Sequence, residues 1–189
     1  MRMFIGNRDV PLQIAEELGW YLDYGPRARD HTWGCALLSK FPITKSKHYL
    51  MPSPEGELAC AIHATLDVGG DALDVLVAHN GQEETPLDRE LQTKLEGEIL
   101  KNATNPIVFI GYVVTTPSMP NYNWLVSDGN AKDIDPTDYD RWCEYIVYRN
   151  LEKVGYARIS HGGITDTEIQ VGRFRMNTNT DNVKEVKLT

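Results

Sequence analysis

Two apolar runs joined by a pair of glycines constrain this chain more than anything else in it. Cys60, Ile62, Ala64 and Leu66 alternate with Ala61, His63 and Thr65, Gly69 and Gly70 supply a turn, and residues 72–78 return as a second apolar run. Alternation with a period of two on both sides of Gly-Gly predicts a β-hairpin. The returning run stops abruptly at His79-Asn80-Gly81, followed by Gln82, Glu83 and Glu84. A strand end holds an imidazole rigidly, and imidazole titrates near neutral pH, so His79 is a candidate general acid or base. His63, inside the alternating run, reads as a structural histidine.

The segments around the hairpin alternate between helix and strand. Residues 9–18 read as a short helix with a polar start at Asn7 and Asp9, Pro11 in the first turn and Gly19 as the stop. Strands are expected over 20–24 and 33–39, the second ended by Phe41-Pro42. His31, in the loop between them, reads as a solvated histidine, with a ligand or substrate contact as the alternative. Thr85, with Asp88 three residues on and Pro86 between them, predicts a capped helix. In it, Leu87, Leu91, Leu95 and Ile99 would lay an apolar stripe on a sheet. The β-branched run over 107–110 predicts a buried strand. Residues 115–132 read as a long loop, and loops of that length in compact domains are often functional. Helices between strands point to an α/β or α+β layered fold.

The second concentration of chemistry lies between 133 and 174. Acids crowd its start, a strand is expected over 144–148, and a polar turn leads to another strand over 168–174. Two strand ends carrying Asp138, Asp140, Glu144, His161 and Asp166 would converge at one sheet edge, where a rigid scaffold commonly presents its working groups. The competing reading is that Asp133, Asp135 and Asp138 form a solvated acidic turn. Trp142 and Cys143, lodged among these charges, suggest packing beneath a site.

Composition narrows the classes. At 189 residues, 41% hydrophobic and 24% charged, the chain can build one sizeable core. It shows no linker-like break, so one domain is expected over 1–176, followed by a polar, frayed tail over 177–189. No apolar run approaches bilayer length, and the first residues lack the apolar segment of a signal peptide, so the chain reads as soluble. Nineteen basic against 27 acidic residues give a net charge of -8, which argues against a long nucleic acid as the main partner. Cys35, Cys60 and Cys143 form no CxxC pair and suggest neither a structural zinc site nor a disulfide framework.

The order of strand, His79-Asn80, helix, strand with Gly111, long loop, DRWCEYI and a final Thr165-Asp166 turn before a strand resembles the endonuclease/exonuclease/phosphatase superfamily. The motifs GNRD, DYGP, HTWG, LLSKFPI, PSPEGELA, DRWCEYI, GYARISH and TDTEIQVGRF, spanning roughly residues 6–174, resemble the C-terminal domain of the cell-wall-biogenesis and PGAP2-interacting protein family, which remodels glycosylphosphatidylinositol (GPI) anchor lipids. The resemblance implies a deoxyribonuclease I-like four-layer α/β (α+β) sandwich. It implies a site at the secretory-pathway membrane, on the lumenal side of the endoplasmic reticulum, beside a membrane-embedded half or partner protein. A GPI-anchor lipid or glycan would be the ligand, with ceramide as the incoming lipid in fungi.

Carried over by position, the superfamily's strand-end histidine matches His79. Its later carboxylate matches Glu144 by spacing, with Asp140 as the other candidate, and the Asp of its final Asp-His pair matches Asp166. The resemblance also marks Asp138 and Arg158, and a guanidinium suits bidentate phosphate binding. Asn80, His161, His31 and Tyr112 complete the expected substrate contacts. The pattern departs in three places. The His of the final pair is Thr167, with His161 as a possible substitute. The Gly-Asp-x-Asn motif falls on Gly111-Tyr112-Val113-Val114, which removes both polar groups. The metal-binding Glu would stand on a strand before Gly6, so a first strand is expected to be missing. A divalent metal such as magnesium is therefore an open expectation, its ligands unassigned. The leading reading is an enzyme acting on a phosphodiester or lipid-linked phosphate by general acid/base chemistry. The alternative is a non-catalytic binding or regulatory module of the same fold, and a nuclease ranks third.

Overall fold

The computed structural model describes residues 4–5, 8–26, 34–81, 84–159, 162–163, 167–176 and 184–188. The chain opens with β1 (Phe4–Ile5), β2 (Arg8–Asp9), α1 (Val10–Leu18), β3 (Tyr21–Tyr24), β4 (Ala36–Ser39) and β5 (Ile43–Leu50). The hairpin β6 (Cys60–Val68) and β7 (Asp71–His79) precedes α2 (Pro86–Asn102), β8 (Ile107–Tyr112), α3 (Pro120–Asn123) and a π-helical turn over Trp124–Asp128. The chain continues through β9 (Lys132–Asp133), β10 (Glu144–Arg149), β11 (Glu152–Ile159), β12 (Ile169–Met176) and β13 (Lys184–Leu188).

Local chemistry explains several of these boundaries. The Asp9 carboxylate accepts from the Leu12 amide at 3.2 Å and starts α1, and Gly19, at φ 63°, closes it by donating to the Ala15 and Glu16 carbonyls. The β6–β7 turn is the expected two-residue one. Gly69 and Gly70 sit at φ 63° and 94°, a conformation that costs glycine little and other residues more.

Six strands form the central sheet in the order β5-β6-β7-β8-β10-β9, with β7 and β8 parallel and α2 as their crossover. The sheet is apolar on both faces. Ile62, Ala64, Leu66, Val75, Val108 and Ile146 pack in one cluster with Leu37 of β4 and with Phe174 and Met176 of β12. On the opposite face Ala61, Leu76, Phe109 and Val147 pack with Ile99 and Leu100 of α2 and with Leu125. A fully buried Leu, Ile or Phe contributes about 1.5–3 kcal/mol, so these two interfaces hold the layers together. The second face of strands is made by the separate sheets β11-β12-β13 and β3-β4, and α1 rests against β3 and β4. The result is the expected four-layer sandwich.

The structure corrects the sequence reading at five places. The α2 stripe is rotated: Leu87 is 42% exposed, while Asp88, Gln92, Thr93, Glu96 and Gly97 are buried. Asp88 does not close a capping box with Thr85. Its carboxylate accepts from the amides of Glu55 and Gly56, at 3.1 and 2.7 Å, because that loop needs acceptors more than the helix end does. Residues 115–132 are not simply loop, since α3 and the π-helical turn pack on α2. At Gly97 a Cβ would lie 2.3 Å from the Trp124 carbonyl oxygen, so only glycine admits this approach. Strands β5 and β11 were not expected. Both are largely exposed edge strands whose charged residues hide any alternation. The tail read as frayed contains β13, which pairs with β12 from Gly172↔Leu188 to Met176↔Lys184.

Candidate functional site

Strand register assembles a row of side chains at the end of the central sheet. Cys60 pairs with His79, His79 with Tyr112, and Tyr112 with Glu144, across β6, β7, β8 and β10. Residues two apart share a face, so these four lie on the face that carries Val75, Val77, Val108 and Ile110, toward the small sheets. The imidazole of His79 stacks on the Tyr112 ring, centroids 4.8 Å apart and planes 11° from parallel, and Trp142 meets Tyr112 edge-on at 6.0 Å. Cys143 is fully buried beside Glu144. The packing role expected of Trp142 and Cys143 is thus what the structure holds.

The loops at this edge are tied to the sheet. The amide of Asn80 donates to the Tyr112 carbonyl at 2.9 Å, that of Val113 to Cys143 at 2.6 Å, and that of Thr115 to Trp142 at 2.9 Å. His79 is half-buried, and burial pushes its pKa down. Its hydrogen bond to the Asn80 carbonyl and the nearby Glu57 carboxylate oppose that without overcoming it. Nδ1 lies 2.9 Å from the Asn80 carbonyl oxygen, which can only accept, so Nδ1 carries the proton. In the neutral ring Nε2 is then the basic nitrogen.

Behind the row lies a polar layer that the sequence did not disclose. The side chain of Asn80, expected to touch substrate, points away to α2 and is 1% exposed, with Nδ2 at 3.4 Å from both Thr93 Oγ1 and Glu96 Oε2. Gln92 accepts from the Gly81 amide at 2.7 Å and donates to the Pro52 carbonyl at 3.0 Å, pinning the loops on both sides of His79. Glu96 is fully buried, and burial raises its pKa to about 8, so at neutral pH it carries a proton. Glu57 and this α2 face are the residues that sequence reasoning missed. The signal was present as a run of polar residues, Asp88, Gln92, Thr93 and Glu96, at helical spacing.

The acidic segment divides. Asp133 is no part of a solvated turn. It is 5% exposed, ion-paired to buried Arg141, and accepts from the Tyr122 hydroxyl at 2.9 Å. Asp135 closes a local turn by accepting from Thr137. Asp138 pairs with Arg158, whose Nε also binds Glu168 at 2.9 Å, so any phosphate reaching Arg158 has to compete with two carboxylates. Glu144 accepts from the Glu168 amide at 3.1 Å, which places this charge chain beside the row. Asp140 is exposed on the preceding turn. Asp166, His161 and His31 lie outside the described residues.

The described residues do not fit a divalent metal. Such ions take several oxygen ligands, yet both Glu144 oxygens already accept hydrogen bonds, from Cys143 and from the Glu168 amide. Positions 112 and 114 carry Tyr and Val. Among the described residues no group of three His, Cys, Asp or Glu side chains is placed to hold a metal. Two cavities lined wholly by described residues, of about 350 and 420 Å³, lie along Tyr21 to Asp23 with Ile43 to Ser46, and around Lys132 and Arg149.

Comparison with known proteins bears on this site. The family described as PGAP2IP, C-terminal nuclease-like domain, matches residues 1–189. Protein cwh43 of Schizosaccharomyces pombe is 53% identical over 173 residues, covering 92% of this chain but 18% of that protein. An endonuclease/exonuclease/phosphatase from Bacteroides vulgatus superposes with a TM-score of 0.66 at 14% identity, covering 88% of this chain and 80% of the other. A mannosyl-6-phosphatase of Bacteroides thetaiotaomicron gives 0.60 at 14% identity, covering 95% and 81%. The likeness to these two structures is one of fold.

Proposed function

The chain belongs to the PGAP2IP C-terminal nuclease-like domain family, and we propose that it acts on a phosphodiester or lipid-linked phosphate of a GPI anchor. The observation that carries this reading is His79, neutral at a sheet end, with Nδ1 held by the Asn80 carbonyl so that Nε2 is the basic nitrogen of the ring. In the proposed step His79 Nε2 takes the proton from a water or lipid hydroxyl as its oxygen attacks phosphorus. The phosphorus–oxygen bond to the leaving alcohol breaks, and the proton passes from His79 to that alkoxide. Gln92 and the Asn80 backbone keep the imidazole in place. Glu144 and the Asp138–Arg158–Glu168 chain shape the mouth.

A second reading has its own support. His79, Tyr112 and Trp142 form an aromatic shelf, and flat rings of this kind suit stacking on the apolar face of a sugar. On that reading the domain binds the GPI glycan without cleaving it. In either case we place the domain beside a membrane-embedded half on the lumenal side of the secretory pathway. Among the described residues no helix is long and apolar enough to cross a membrane, and the chain spans 18% of the length of the curated relative it matches.

The test is anchor-lipid analysis in cells lacking the endogenous protein, complemented with the full-length protein as wild type, His79→Ala or Asp166→Ala. Catalysis predicts that wild type restores the remodelled lipid and that folded His79→Ala does not. Equal restoration by all three replaces catalysis with the binding reading.

A further inference from the structure

The most informative unassigned cluster is a pair of thiols. Cys35 precedes β4 and Cys60 opens β6, yet their Sγ atoms lie 3.1 Å apart, and the Cys35 thiol is also 3.1 Å from the Cys60 carbonyl oxygen. Both residues are buried, at 6% and 0% exposure. A disulfide has an S–S length of about 2.05 Å, so closing the gap takes about 1 Å, within reach of small side-chain rotations.

The setting gives such a bond something to do. Among the described residues β3 and β4 form a two-stranded sheet with no backbone ladder to the central sheet, and an isolated two-stranded sheet is marginal in water. Cys35 is tied to that sheet, since its carbonyl accepts from the Gly25 amide at 2.9 Å. Cys60 is the register partner of His79. We propose that Cys35 and Cys60 form a disulfide that staples the β3–β4 sheet to the central sheet at the strand position facing His79.

The oxidant is a small-molecule or protein disulfide met during folding, before β4 covers Cys60. The Cys60 thiolate attacks one sulfur of that disulfide and expels the other as a thiolate. The Cys35 thiolate then attacks Cys60 Sγ and releases the second. Two electrons and two protons pass to the oxidant, which leaves as two thiols. All three cysteines are thiols in this structure, and that of Cys143 donates to Glu144 rather than meeting another sulfur.

The experiment folds the protein in a reduced/oxidised glutathione couple and digests it without reduction. The expected product is a Cys35–Cys60 linked peptide, lighter by two hydrogens than the separate peptides, with Cys143 alkylated on denaturation. Adding reductant should lower the wild-type melting temperature by about 10 °C. It should leave a Cys35→Ala/Cys60→Ala double variant unmoved. Should that variant not fold, the peptide map and the wild-type melt in reductant still decide. Three free thiols in protein folded under these conditions, or a link that includes Cys143, overturns the proposal.

Discussion

Replacing Glu96 by Gln isolates the cost of burying one carboxyl behind the candidate site. Glu96 is fully buried, with Oε1 lacking a donor and Asn80 Oδ1 close by in the same layer likewise lacking one. Burial raises its pKa from the ordinary 4.5 to about 8, so the native state keeps a proton that the unfolded chain releases at lower pH. Because the native pKa is the higher one, the stability from this site is fully present below pH 4.5 and is lost as pH rises to about 8. At about 1.36 kcal/mol per pH unit for one proton, the loss approaches about 5 kcal/mol above pH 8 and about 3 kcal/mol at pH 7. Gln is neutral throughout and brings an amide that can donate to Asn80 Oδ1. Urea unfolding of both proteins between about pH 5 and about pH 8 should show the variant gaining on wild type by about 1 kcal/mol per pH unit. Stability curves that stay parallel across that range would refute the buried, protonated carboxyl.

Three further outcomes are expected. Asp133→Ala leaves Arg141 charged and buried, both side chains being 1% exposed, and should cost about 3–5 kcal/mol in denaturant unfolding. Restoring an apolar pair with Asp133→Leu/Arg141→Met should recover much of it. Gly97→Ala puts a methyl 2.3 Å from the Trp124 carbonyl oxygen and should destabilise by about 1–3 kcal/mol, read as a lowered melting temperature. Arg158→Ala removes an ion pair whose arginine is 40% exposed, so stability should change by less than about 1 kcal/mol; a larger loss would show that the Asp138–Arg158–Glu168 chain holds β11 in place.

Much of the scaffold was readable from local pattern. The β6–β7 hairpin, the Asp9 and Gly19 caps of α1, the strand ending at His79 and the strand opening at Glu144 all follow from periodicity and turn chemistry acting over a few residues. So did the presence of His79 and Glu144 at strand ends. What pattern missed were elements whose signal is blurred by exposure, as in β5 and β11, or drowned in a polar tail, as in β13.

The site itself depends on register. Nothing near residue 79 in sequence says that its ring stacks on Tyr112, or that Tyr112 faces Glu144; the parallel pairing of β7 with β8 and the antiparallel pairing of β8 with β10 decide that. The direction of α2 was likewise not local. Its leucines offered one face, but the loops around Met51 to Ala59 and Asn80–Gly81 present unpaired amides and carbonyls, and leaving these buried and unsatisfied costs more than exposing Leu87. Residues 35 and 60 show the same division. The sequence determined three scattered cysteines on or beside apolar strands, and only the stacking of one sheet on another brought two of their sulfurs to 3.1 Å, because contacts between layers join residues that no local periodicity relates.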